Sequence, residues 1–175
     1  SLDRNSAGNE NTVLGFRSLC SKTTGCQKMA VGSPVMRDNT TGNCNVALGY
    51  RALDNNTTAS NNTAVGTDSL FANTTGGSNS AFGFSALSAN TTGSDNNAVG
   101  RCALFSNVDG ASNNAFGRNA LYNNTSGSNN VAVGCSALTA NTTGSYNTAV
   151  GVLALSANTT AAYNVAVGFC ALDTN

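Results

Sequence analysis

Histidine is absent from this chain, which removes the side chain most often used as a general base or metal ligand. With it go any Ser/His or Cys/His nucleophile pair, and the sequence also contains no phosphate-cradling glycine loop and no C-x-x-C. Charge is scarce. Eight basic residues balance eight acidic ones, so no net field recruits nucleic acid or an anionic membrane. Six of the eight basic residues lie in the first 51 positions, too sparsely for a phosphate-binding stripe. No apolar run approaches the roughly 20 residues needed to cross a bilayer as a helix, so membrane insertion is not expected. There is also no initiator Met and no signal peptide, and both ends fall in the middle of a repeat unit. The expectation is an excerpt of something longer, without its caps.

What the chain does have is a phrase. "NTTGSYNTAVG" at 141–151 returns as "NTTGSDNNAVG" at 90–100 and "NTSGSNNVAVG" at 124–134. The closing glycine falls at Gly15, Gly32, Gly49, Gly66, Gly83, Gly100, Gly117, Gly134, Gly151 and Gly168, always 17 residues apart. With that glycine as position zero, plus four is Leu in every copy except Met36, including Leu53, Leu70, Leu87, Leu104, Leu121, Leu138 and Leu155. Minus one is always Val, Leu or Phe, among them Val65, Val99, Val133 and Val150. Minus two is Ala except at Val13, and minus four is Asn except at Lys28, as in Asn62, Asn96, Asn130 and Asn147. Such columns mean a one-dimensional stack of like units spanning 1–175 as a single array. Asn/Ser/Thr/Gly richness alone would suit disorder, but strict phase with an apolar column in every unit argues against it.

Seventeen residues are too few for a helical hairpin, and Asn, Thr, Val and Gly are poor helix residues. "NTAV" and "AL" read as two short strands, with "NTTG" and the residues after the glycine as turns. The predicted fold is all-β: a parallel β-solenoid, flattened into a roll, of about ten coils and on the order of 45–50 Å long. Stacking places each column against its own kind. Leu at plus four and Val, Leu or Phe at minus one are expected to point inward as two ladders that exclude water. The Asn columns are expected to form amide ladders from coil to coil. Asn39, Asn56, Asn73, Asn90, Asn124, Asn141 and Asn158 also begin N-x-[ST] sequons, so a row of glycans is the competing reading. A laddered amide cannot carry a sugar, and each site must be one or the other. If minus one points in, strand alternation turns Ala30, Ala47, Ala64, Ala81, Ala98, Ala115, Ala132, Ala149 and Ala166 outward, towards a second chain. The alternative is a narrow inner corner that admits only a methyl group.

"NTAVG" and "NVAVG", with a small residue and Leu following, resemble the phrase that recurs in trimeric autotransporter adhesin heads. That resemblance, one short phrase per coil over nearly the whole chain, implies a parallel β-roll that associates as trimers. The longer 17-residue unit with its "NTTG" turn is similar to repeats in phage and algal-virus fibre shafts and in large surface proteins. Together these imply a fibrous role on a cell or virion exterior.

Remaining residues offer little chemistry. Asp38 and Asp54 lie one coil and one column apart and could form a glycoside-cleaving pair, but Arg37 stands one period before Asp54, and Arg51 one before Asp68. Stacked ion pairs are the plainer expectation. Of six cysteines only Cys26 and Cys44 lie close enough in the repeat to pair within the chain; otherwise they cross-link chains or fill small apolar space. Thr at plus eight and plus nine suggests an ice-binding face as one alternative. Glycan or receptor binding on aromatics is another: Phe16, Tyr50, Phe84 and Phe169 share plus one, while Phe71, Phe105 and Tyr122 share plus five. The sequence therefore predicts a non-enzymatic structural segment without cofactors or metal: a self-associating spacer, shaft or adhesin, extracellular or on a cell or virion surface.

Overall fold

The computed structural model describes residues 7–21 and 24–173. The chain winds into a β-solenoid with about 17 residues per turn and no helix among the described residues. Each coil contributes one three-residue strand, from β1 (Thr12–Leu14) to β10 (Val165–Val167). The ten strands form one parallel sheet in strict chain order. The register is a shift of one period, so β6 (Asn97–Val99) sets Asn97, Ala98 and Val99 against Asn114, Ala115 and Phe116 of β7 (Asn114–Phe116). At about 4.8 Å per step the sheet is about 43 Å tall.

The predicted second strand does not form. "AL" at plus three and plus four lies in a run of turns that stacks opposite the sheet. The backbone explains why. Plus two and plus four both adopt positive φ, at 51–60° and 46–52°, and minus five does the same at 53–63°, with Pro34 the exception at plus two. An alternating strand also cannot bury neighbours, whereas Ala103 and Leu104 are both fully buried. The turns nevertheless hydrogen-bond along the axis as a sheet would. The N–H of Leu87 donates to the Ala103 carbonyl at 3.0 Å, and that of Ala89 to Phe105 at 3.0 Å.

The glycine at position zero joins the strand to these turns at φ of 127–141°, where L side chains are strained. A Cβ on Gly100 would also fall 2.7 Å from the carbonyl of Gly117 in the next coil. Close stacking and backbone angle thus both demand glycine, which accounts for the invariance of the column within this chain.

The core is thin. Leu or Met at plus four, Ala at minus two and mostly Ala at plus three form one contiguous apolar cluster along the roll. The expected leucine ladder, Leu53, Leu70, Leu87, Leu104, Leu121, Leu138 and Leu155, lies wholly inside it at 0% exposure. The strand phase is the reverse of the expected one. The alanines at minus two point in, and the minus-one column points out: Val99 and Val133 are exposed, while Val65 and Val150 are half-buried. The leucines of the opposite wall occupy the space between the walls, and only a methyl group fits beneath the sheet. An argument for association drawn from outward alanines therefore falls.

Candidate functional site

Two asparagine columns close the narrow ends of the roll. At minus four, the backbone N–H of Asn96 donates to Asn79 Oδ1 at 3.0 Å, and Asn96 Nδ2 donates to the Gly110 carbonyl at 2.8 Å. Asn62, Asn130 and Asn147 repeat the arrangement. At plus seven, Asn107 Nδ2 reaches Asn90 Oδ1 at 2.8 Å and the Gly110 carbonyl at 2.9 Å, and Asn124 then donates to Asn107. This second ladder runs from Asn56 through Asn73, Asn90, Asn124 and Asn141 to Asn158. These are the sequon asparagines. All are buried, Asn39 included, so the glycan reading is corrected: a folded coil leaves no room for a sugar on these amides. Asn39 stands apart, with neither amide atom hydrogen-bonded.

Cys26 and Cys44 are free thiols. Their backbones meet, with Cys44 N–H donating to the Cys26 carbonyl at 3.1 Å, but the sulfurs have other partners. Cys44 Sγ lies 3.2 Å from Gln27 Oε1, and Cys26 Sγ accepts from the Asn9 N–H at 3.3 Å. The intrachain disulfide expected from spacing is therefore not formed. Threonines at plus eight turn their hydroxyls along the axis, as Thr74 Oγ1 does to the Thr91 carbonyl at 3.0 Å, so the plus-nine rank faces solvent more fully, with Thr159 at plus eight exposed beside it.

The outer sheet face is the larger of two surfaces with functional character. Its minus-one column runs Leu14, Val31, Leu48, Val65, Phe82, Val99, Phe116, Val133, Val150 and Val167, apolar at every rung and with no charge. In the middle of the roll Leu48, Phe82 and Phe116 are each more than two-fifths exposed. Phe16, Tyr50, Phe84 and Phe169 flank it at plus one, all exposed.

The second surface is a cleft of about 370 Å³ over the first coils, lined by residues of columns plus one, plus two and plus five. Arg37 Nη2 lies 3.2 Å from Asp54 Oδ2, and Arg51 Nε lies 2.7 Å from Asp68 Oδ1, both pairs stacked one period apart as expected. Arg37 also contacts Asp38 at 3.4 Å, so one guanidinium spans the two carboxylates that the repeat spacing offers as a glycoside-cleaving pair. Asp54 is buried, and burial pushes its carboxyl above the ordinary range, with the Arg37 charge pulling the other way. Arg37 and Arg51 are held more firmly protonated, chiefly by their side-chain hydrogen bonds to Asp38 and Asp68. The Arg51 guanidinium stacks 4.6 Å above the Phe71 ring and 5.3 Å from that of Tyr50. Sequence reading had each of these residues in its column but missed their convergence. The available signal was the crowding of basic residues into the first coils, where the aromatic columns plus one and plus five also begin.

Comparison with known proteins adds no family: no family model matches the chain, and no curated protein or solved structure does either.

Proposed function

We propose that this chain is a non-enzymatic structural rod, a spacer or shaft segment whose coils set a length, and that copies associate through the outer face of the sheet as a trimer or fibre. The observation that carries this reading is the unbroken apolar column at minus one. Monomers rarely leave contiguous apolar patches above about 300–600 Å² uncovered. The sheet face, about 43 Å long and about 13–16 Å wide with Thr63, Ser80, Asn97, Asn114 and Thr148 of minus three beside the apolar column, offers roughly 600–700 Å² before side-chain relief. That approaches the ~800 Å² per partner of a standard interface. A second copy suits the surface because the minus-one column carries no charge for an oppositely charged partner to read, although Arg101 and Arg118 flank it at plus one, and two 17-residue repeats match rung for rung. A rod of this kind belongs on the exterior of a cell or virion, where length and contact are the task.

The test places glutamate at Phe82 and Phe116 together. Both side chains are outside the core, so the variant should keep its strand signal by circular dichroism. Sedimentation velocity should give an oligomer for the unsubstituted chain and a folded monomer for the variant. An unsubstituted chain that sediments as a monomer, or a variant that keeps its mass, would refute association through this face.

A further inference from the structure

The cleft over the first coils has features that the rod does not need. Asp54 Oδ1 is buried and has no hydrogen-bond partner, although Oδ2 is held by Arg37. An acceptor taken from water and left unmet costs free energy, and a ligand donor would recover it. Arg17, on the rim, has no carboxylate partner among the described residues, and its guanidinium lies 5.6 Å from the Phe16 ring. Phe16 and Tyr50 are exposed, and Phe71 forms part of the wall beneath Arg51. The cleft therefore offers three things within about 370 Å³: apolar ring faces, an unpaired cation and a buried acceptor that needs a hydroxyl. That volume is at the small end of the ~300–1,000 Å³ range of ligand clefts.

We propose that this cleft binds an anionic saccharide, with its ring against the exposed Tyr50, its carboxylate or sulfate on Arg17, and one hydroxyl donating to Asp54. A pyranose has an apolar face for an aromatic ring and hydroxyls for a carboxylate. The anion follows from the cation left over after Arg37 and Arg51 have met Asp54 and Asp68. Bare phosphate or acetate would use only Arg17, and a neutral sugar would leave it unused. The cleft shares Phe16, Ser33 and Tyr50 with the plus-one column that flanks the sheet face, and its remaining lining residues lie beyond that column, at plus two and plus five.

Calorimetric titration of the full chain tests this with galacturonate, galactose 6-sulfate, galactose, acetate and an O-methylated galacturonate that keeps ring and anion but cannot donate. Galacturonate or galactose 6-sulfate should bind with Kd of about 1 mM or tighter, and the tighter of the two identifies the anion. Galactose, acetate and the O-methylated sugar should each bind at least about tenfold more weakly, since each loses one charged hydrogen bond or the ring. Arg17→Ala should reduce binding by a similar factor. Arg17 is exposed, so unchanged thermal unfolding will show that the variant is folded. Tyr50→Leu, which keeps an apolar wall but no ring, should also weaken binding. The proposal is overturned if neither anionic sugar binds, if galactose or acetate binds as well as they do, or if Arg17→Ala leaves affinity unchanged.

Discussion

Leu104 has to satisfy two demands at once: it fills the core at 0% exposure, and it does so with φ at 51°. The second demand explains a bias that burial alone does not. None of the residues in the three positive-φ columns is Val, Ile or Thr, because a branched Cβ is a genuine outlier in that region. Leu104→Met should cost less than about 1.5 kcal/mol, as volume-conserving core swaps do. Leu104→Ile conserves volume equally but should cost about 1–3 kcal/mol more, from the strained backbone. Urea unfolding of both variants checks this, and equal losses would show that φ at plus four is not the constraint. Lys28 is the converse case, a charge where nine other coils carry Asn. Burial lowers its pKa from the ordinary 10.5 to about 8. Between those values the unfolded chain binds more protons, so stability should rise as pH rises from about 8 to 10.5. Lys28→Asn should be more stable at neutral pH and should lack the alkaline increment attributable to this residue. A variant that keeps the same increment would show that Lys28 is not its source.

Within one coil, the strand and the amide ladders were legible from the column pattern, and the inside of the strand was not. A three-residue strand shows that minus one and minus two face opposite ways, without saying which is in. Size favoured Val and Phe for the core. The roll is too narrow for that, because leucines from the turn wall already span it, and Ala98 is the side chain that fits. The missing second strand was legible in principle, since adjacent buried columns at plus three and plus four violate strand alternation. Asparagine columns were read as ladders or as sequons, and only the structure decides: a 2.8 Å bond joins Asn107 to Asn90 and another joins Asn124 to Asn107. Asn107→Ala breaks these two bonds and the one to the Gly110 carbonyl, and should cost about 2–4 kcal/mol, since each buried group left unmet costs about 1–3. Asn123→Ala, at an exposed position in the corresponding turn of the next coil, should stay within about 0.5 kcal/mol of the parent. Equal effects in thermal unfolding would mean that the ladder contributes nothing.

Across the whole molecule, each coil touches only its two neighbours, so stability is nearly a sum of coil and interface terms. The sheet order and the constant 17-residue register make any interior coil interchangeable with the next. Period and stack were fully readable from sequence for this reason: the fold is the repeat. The cleft was not readable, since it breaks the repeat, using side chains that differ from coil to coil. If the rod's task is to set a length, removing one coil should shorten it and change nothing else. Deleting residues 85–101 removes one whole period and rejoins Phe84 to Cys102 in phase, whereas deleting 85–92 throws every later column out of register. The decisive measurement is the axial length of the two deletion variants by small-angle X-ray scattering, beside the parent. The full-period deletion should give a folded rod shorter by about 4.8 Å per chain, and the half-period deletion should expose apolar columns and aggregate. Two deletions that fold equally well would contradict the account, because the strict period would then have no structural meaning.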